Sequence, residues 1–311
     1  MTDHSITDSA ARDFIESHYG RQVGDVEYVG EGAWSRCFGF TDRGRSLVVR
    51  FGRHLDDFEK DRHASSHRSP LLPIPEVLEI GQAFEGFFAI STRACGQPLE
   101  SLNTEAEWRD VLPSLFAALD SMRRADLSRN RGYGGWDARG NAGNISWREF
   151  MLAVGEDSPA SRTHGWRRKL ADAPGGDALF DAGLARLGEL VTEDLNPRHL
   201  VHADLLNRNA LVEGGQLSAV FDWGCSHYGD FLYDIAWFEF WAPWYPALES
   251  VVILDRFEEH CVNTELQITQ FDSRMQACLI RIGLDHLSYH AHTGRLDELQ
   301  AVAARMEPLL S

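Results

Sequence analysis

The chain has 311 residues, 43% hydrophobic and 25% charged, a length and balance that permit two lobes, each around its own core. Its 30 Lys and Arg against 47 Asp and Glu give a formal charge of −17, a field that repels nucleic acid and anionic membranes and attracts cations. Five cysteines without C-x-x-C spacing exclude a disulfide framework or zinc site of the usual kind, and predict reduced thiols in a cytoplasmic protein. The polar start MTDHSITDSAARDF lacks the apolar stretch of a signal peptide. The most hydrophobic window, 235–254, is interrupted by Glu239, Pro243, Pro246 and Glu249, so no membrane span is expected.

Taken in order, residues 7–19 read as a helix with Thr7 as N-cap, Ala10, Phe14 and Ile15 on one face, and Gly20 as terminator. Strand-like runs follow at 25–30, 36–41 and 46–51, then a short helix at 54–66. LLPIPEVLEI stops that helix and opens another strand, EGFFAISTRA supplies the last one, and Cys95-Gly96-Gln97-Pro98 reads as a linker. The expected division is therefore 1–95, a small antiparallel sheet with one inserted helix, and 96–311, mainly helical. Trp108, Val111, Leu112, Leu115, Phe116, Leu119 and Met122 recur at helical spacing. Residues 128–145 are rich in Gly, Asn and Arg and read as a long loop. Helices are expected at 146–154, 161–171 and 178–193, with Pro174-Gly175-Gly176 as a break. After 224 the pattern predicts helices at 231–241, 247–262, 272–292 and 295–306.

The segment HLVHADLLNRNALVEGGQLSAVFDWG, residues 199–224, carries the chemistry. His202, Asp204 and Asn209 form H-x-D-x-x-x-x-N, and the hairpin turned by Gly214-Gly215 delivers Asp222. Two carboxylates and an amide on one hairpin suit phosphoryl transfer from a magnesium-bound nucleotide. An aspartate accepts the substrate hydroxyl proton, and Asn and Asp oxygens hold the metal. Residues 200–260 hold ten acids against two bases, Arg208 and Arg256, which favours a polycationic substrate.

Other features add to this. VGEGAWSRCF is a strand-turn-strand whose Gly30, Gly32 and Ser35 can lay backbone amides and a hydroxyl over phosphates. Arg50 ends a strand and can serve nucleotide phosphates, with Asp61 on the next helix as its partner. His286, His290 and His292 have partly metal-like spacing, but no acid accompanies them, and a solvated helix face is the better reading. Trp237, Trp241, Trp244 and Tyr245 lie within nine residues around Glu239. Trp237 is expected in the core, and rings of the WAPWYP turn at a surface, where Glu239, Trp241 and Trp244 suit an ammonium-bearing sugar.

In this order the pieces resemble the aminoglycoside phosphotransferase family over nearly the whole chain. HADLLNRN is similar to its catalytic loop, FDW to its second metal element, and GDFLYDIA to its downstream G-D-x-x-x-D-[IL]-A segment. The resemblance implies a bilobal, protein-kinase-like α+β fold with a nucleotide-binding N-lobe and a catalytic C-lobe. It makes Asp204 the catalytic base and Asn209 and Asp222 the magnesium ligands, with Asn207 and Asp204 facing substrate. His202, Asp230 and Asp234 become braces of the loop. Gly32, Ser35, Arg50 and Asp61 serve the nucleotide, and Thr92, Arg93 and Ala94 lie in a hinge whose backbone reads adenine. Three positions depart from the wider pattern: Arg50 replaces Lys, Asp61 a longer Glu, and Ala203 a Gly.

The expected function is ATP-dependent phosphorylation of an aminocyclitol antibiotic hydroxyl, with hygromycin B as the expected substrate and GTP as an alternative donor. The protein is expected to act as a monomer, without nucleic-acid or membrane partners. The alternatives are a kinase for another aminoglycoside, a macrolide, choline or homoserine, or an inactive nucleotide-binding scaffold. Presence of Asp204, Asn209 and Asp222 argues against the scaffold. A protein kinase is disfavoured because no Arg precedes Asp204.

Overall fold

The computed structural model describes residues 6–32, 35–173 and 176–310. Residues 33 and 34 of the VGEGAWSRCF turn and 174 and 175 of the expected break lie outside the described residues. The chain forms two compact units. One comprises the residues up to Ser101, Asp137–Asn141 and Leu206–Cys225; the other comprises Leu102–Trp136, Ala142–Leu205 and the residues from Ser226 onward.

Helix α1 (Asp8–Tyr19) starts where the Thr7 hydroxyl accepts the Ala10 amide at 3.2 Å and ends at Gly20, whose φ of 63° is left-handed. Strands β1 (Gly24–Glu31), β2 (Ser35–Asp42) and β3 (Arg45–Gly52) follow, then α2 (Leu55–Ala64), β4 (Val77–Ala83) and β5 (Gly86–Thr92). The five strands form one antiparallel sheet in the order β1-β2-β3-β5-β4. Alternation along the strands separates its faces. Phe38, Phe40, Leu47, Val49, Phe51, Phe88 and Ile90 share a core with Ala11 and Ile15 of α1. The register Cys37↔Arg50↔Ala89 places those three on the opposite face.

The expected linker contains a strand. Residues Gln97–Pro98 form β6. Helix α3 (Glu105–Arg123) begins with a capping box between Thr104 and Glu107, and all seven apolar positions read from the sequence are buried. The expected long loop holds β7 (Tyr133–Trp136) and β8 (Ala142–Asn144). After α4 (Trp147–Leu152), helix α5 is only Trp166–Ala171, because left-handed Gly165 delays its start, and α6 runs Gly176–Leu190. Strands β9 (His199–Val201), β10 (Ala210–Glu213), β11 (Gln216–Val220) and β12 (His227–Gly229) precede α7 (Leu232–Trp241). The helix expected at 247–262 is broken by Val252 at φ 53° into α8 (Pro246–Val251) and α9 (Ile253–Asn263). Helices α10 (Phe271–Thr293) and α11 (Leu296–Met306) follow, and a short 3-10 helix at Glu307–Leu310 ends the described chain.

In the first unit β10 pairs with both β11 and β6, so the linker is zipped to the hairpin. In the second, β8-β7-β12-β9 form a small sheet, and α10 packs against α5, α6, α7 and α11. The α10 histidines do not form a solvated face: His290 is buried and His286 half-buried against Trp237 and Trp241. Among the described residues no helix is long and apolar enough to cross a membrane.

Candidate active site

In the first unit, Gly32, Ser35, Arg50 and Asp222 line one pocket together with Gly52, His54, Asp57 and Phe58. The Arg50 guanidinium reaches Asp61 Oδ2 at 2.8 Å and lies over the Phe58 ring. Asp61 Oδ1 accepts the Trp223 amide at 2.8 Å, and Lys60 Nζ donates to the Gly224 carbonyl at 2.7 Å. Consecutive α2 residues thus hold the segment just beyond Asp222. Its hold matters because Asp222 itself sits at φ 61°, an unfavourable conformation for a side-chain-bearing residue. Burial pushes Asp61 up to about 6, with Asp222 adding to the rise while Arg50 and the Trp223 amide oppose it. Burial works against the Arg50 charge, but Asp61 and Asp222 outweigh it and raise its pKa. Burial likewise lifts the Cys37 thiol to about 11, so it stays protonated beside them.

The hairpin sets Asn209 beside this group. The Phe221 amide donates to the Asn209 carbonyl at 3.0 Å, and Ala210 pairs with Val220, so Asn209 and Asp222 leave the ladder as neighbours. Asn209 is 6% exposed, whereas Asn207 is exposed at φ 64°. An amide oxygen and a carboxylate at such a hairpin mouth are the hard donors that magnesium takes, and the residues present fit that ion. In the stretch expected to be a hinge, the Thr92 amide donates to the Glu76 carbonyl and the Arg93 amide to the Ser46 carbonyl. The Arg93 side chain crosses to Glu27 at 2.5 Å, filling the space that Gly39 leaves open.

In the second unit, Asp234 anchors the loop bearing Asp204. Its two oxygens accept the amides of His202 at 3.0 Å and Ala203 at 2.8 Å. Ala203 lies at φ 65°, where a glycine would carry no Cβ penalty, so the two bonds hold the backbone in a disfavoured region. The Asp204 amide then donates to Nδ1 of fully buried His202 at 3.2 Å, which places the ring proton on Nε2. Burial raises Asp234 to about 7 against the two amides that favour its ionised form. Asp230 forms a two-point pair with Arg274, Oδ2 to Nε and Oδ1 to NH2, each 2.7 Å.

The aromatic turn divides as read. Trp237 is 4% exposed and Trp244 is 39% exposed, with the Trp241 ring packed on Trp237, Phe240, Trp244 and His286. Glu239 is not an open carboxylate: Arg305 donates to its Oε1 at 3.1 Å and to its carbonyl, and burial raises its pKa against that pairing. Sequence reading missed Arg305, Arg274, Lys60 and Asp57. Only Asp57 had a visible signal, as it lies one helical turn before Asp61 on the same face.

A family model described as the phosphotransferase enzyme family matches residues 25–265. Hygromycin-B 4-O-kinase of Escherichia coli is 33% identical over 316 residues, which span 100% of this chain and 87% of that protein. The crystal structure of the aminoglycoside phosphotransferase APH(4)-Ia superimposes with a TM-score of 0.83 at 32% identity, covering 98% of each chain. A thermostable mutant of it, in a ternary complex with AMP-PNP and hygromycin B, gives 0.83 at 31% identity, covering 97% of this chain and 98% of that one. At 11% identity, spectinomycin phosphotransferase APH(9)-Ia shares the fold, with a TM-score of 0.61 over 97% of this chain and 98% of that one.

Proposed function

Because the chain belongs to the phosphotransferase enzyme family, we propose that it transfers the γ-phosphoryl group of ATP to a hydroxyl of hygromycin B, which confers resistance to that antibiotic. The observation that carries this reading is the hairpin that sets Asn209 beside Asp222, while β3 presents Arg50 to the pocket that Asp222 lines and Asp61 of α2 holds Arg50 there. Asp204 accepts the proton of the attacking hydroxyl, and Asn207 faces the substrate beside it. Asn209 and Asp222 would hold magnesium, which when bound neutralises the phosphate charge. Arg50, kept charged by Asp61, faces the nucleotide phosphates with Gly32 and Ser35. Since Thr92 and Arg93 direct their amides into the sheet, base reading falls to the Ala94 amide and to carbonyls of this stretch. His202, Asp230 and Asp234 hold the loop.

On the substrate side, Trp244 and Trp241 offer rings to the sugar, and Glu239 a carboxylate whose charge Arg305 partly offsets. The first compact unit is the nucleotide-binding part, extended by the hairpin, and the second the substrate-binding part. The enzyme acts as a cytoplasmic monomer. Purified protein with magnesium, ATP or GTP, and a panel of hygromycin B, other aminoglycosides, a macrolide, choline and homoserine tests the reading. ATP-dependent phosphate transfer to hygromycin B in preference to the others is the expected result, and transfer to another acceptor alone overturns the substrate.

A further inference from the structure

The loop bearing Asp204 depends on a single side chain, Asp234, for its amides at 202 and 203. Asp234 lies in the first turn of α7, so the seating of that turn fixes where its oxygens fall. Two bonds of 2.8 and 3.0 Å to consecutive amides tolerate little displacement, because a shifted or tilted carboxylate cannot keep both within about 3.2 Å and near-linear. The question is what seats the turn.

The residues just before α7 answer it. Asp230 Oδ1 accepts the Leu232 amide at 3.1 Å, and its carbonyl accepts the Tyr233 amide at 2.9 Å, so Asp230 closes two of the free N-terminal donors of the helix. The same carboxylate takes the Nε and NH2 of Arg274. Arg274 is fixed in turn by donating NH1 to the Thr269 carbonyl at 3.0 Å. Its guanidinium lies 5.6 Å from the Phe231 ring, as does that of Arg123, and the edge of His199 closes the third side. His199 begins β9, the strand that runs directly into His202, and its Nδ1 bonds the Arg123 carbonyl. The entry to the Asp204 loop and the start of the helix that grips it are thus bound around one ring and one guanidinium. Asp230 and Arg274 are 1% and 8% exposed, and the side chain lies far along the chain from any residue read as chemical.

We propose that Arg274 is a positioning residue for Asp204, acting through Asp230 and the first turn of α7 on the Asp234 grip of the 202–203 backbone. The proposal rests on the reading of Asp204 as the base, but its geometric part does not. A displacement of the loop by about 1 Å is enough for a loss of order 100-fold in turnover without contact to either substrate.

Arg274→Lys keeps the charge and loses the two-point fork. The double variant Asp230→Asn/Arg274→Met removes both charges at nearly constant shape, and carries the test if the lysine variant does not fold. Arg167→Ala, which breaks a surface pair with Asp181 away from this cluster, serves as the control, compared per folded molecule. Three quantities are measured for each: amide exchange across 200–205, the Michaelis constants for ATP and hygromycin B, and turnover per folded molecule. The expected result is faster exchange at 202 and 203 and a ~10–100-fold fall in turnover, with both Michaelis constants within about threefold. Exchange and turnover equal to those of the Arg167 control overturn the proposal and leave Arg274 a stabilising residue only. Faster exchange in a protein whose unmutated form phosphorylates nothing in the panel sustains the positioning and sinks the assigned function instead.

Discussion

Arg50 and Asp61 meet at 2.8 Å although the helix partner is an aspartate, one methylene shorter than the glutamate of the wider family. The shorter reach is made up by α2 itself. Its neighbouring Lys60 is bonded to the Gly224 carbonyl, and Asp61 turns its second oxygen to the Trp223 amide, so the helix is drawn onto the segment after Asp222. The pair is also a clamp on the proposed metal hairpin.

Asp61→Asn therefore tests more than a charge. It keeps the shape but removes the main counter-charge of the Arg50 guanidinium, which is 15% exposed, and leaves Asp222 as the next contributor. The expected loss is of order 3–5 kcal/mol of stability, as when one member of a buried pair is removed. The Michaelis constant for ATP should rise more than that for hygromycin B. Thermal melting and initial rates decide it; an unchanged melting temperature with unchanged ATP use would mean that the pair matters to neither.

Asp204→Asn should lower turnover by roughly 100-fold or more with the fold intact, since a positioned base is lost. Asp222→Ala should act differently, raising the magnesium and ATP concentrations needed for half-maximal rate. Near-native turnover of the first variant, or unaltered magnesium dependence of the second, removes that residue from its proposed role.

The pH dependence of stability should report Asp234. Its folded pKa, about 7, lies above the ordinary carboxyl value, so the folded state binds the proton more tightly than the unfolded one. That contribution is full below the unfolded pKa and disappears as the pH rises through about 7. The melting temperature of the unmutated protein should fall relative to Asp234→Asn between those limits, because the asparagine has no buried charge to form. Parallel melting curves for the two proteins across this window would contradict the assignment.

Much of the first hundred residues was legible because their patterns are local. Thr7, Gly20 and the turn-bounded runs at 36–41 and 46–51 each specify their own element, and α3 announces itself by its apolar spacing. Asp204, Asn209 and Asp222 stood out because their spacing, not any single residue, is unusual. What escaped was set by distant partners. Nothing near Arg274 or Arg305 indicates that they pair with Asp230 and Glu239, and a run such as 128–145 hides β7 and β8 because its glycines weaken strand patterning. The α8–α9 break escaped because Val252 is β-branched, a residue type that rarely enters the left-handed region.

Gly229 illustrates the same limit with a testable consequence. A Cβ there would fall within the Trp147 ring, so the glycine of GDFLYDIA is required by packing. Gly229→Ala should destabilise the protein by about 1–3 kcal/mol through overpacking. Ala203→Gly, which relieves a left-handed alanine but loosens the unfolded chain, should shift the melting temperature little. A tolerated alanine at 229 would show that Trp147 can yield.

For the substrate side, Trp244→Ala should weaken hygromycin B by roughly 1 kcal/mol or more if the exposed ring meets a desolvated ammonium, leaving ATP unaffected. Glu239→Gln should raise the Michaelis constant for the antibiotic above that for ATP. Equal harm to both substrates together with a lower melting temperature would assign these residues to packing.

The zipped linker has a consequence for synthesis. Strand β6 is made early, but its partner β10 emerges more than a hundred residues later, and the amide of Trp223 that Asp61 holds later still. The five-stranded sheet can assemble on the nascent chain, yet the pocket containing Arg50 and Asp222 is complete only after Cys225 has been translated. A ribosome stalled before that point carries the sheet without the means to hold its proposed metal, and Asp234, which grips the Asp204 loop, is made later still, so the order of translation itself delays the enzyme's competence beyond the hairpin.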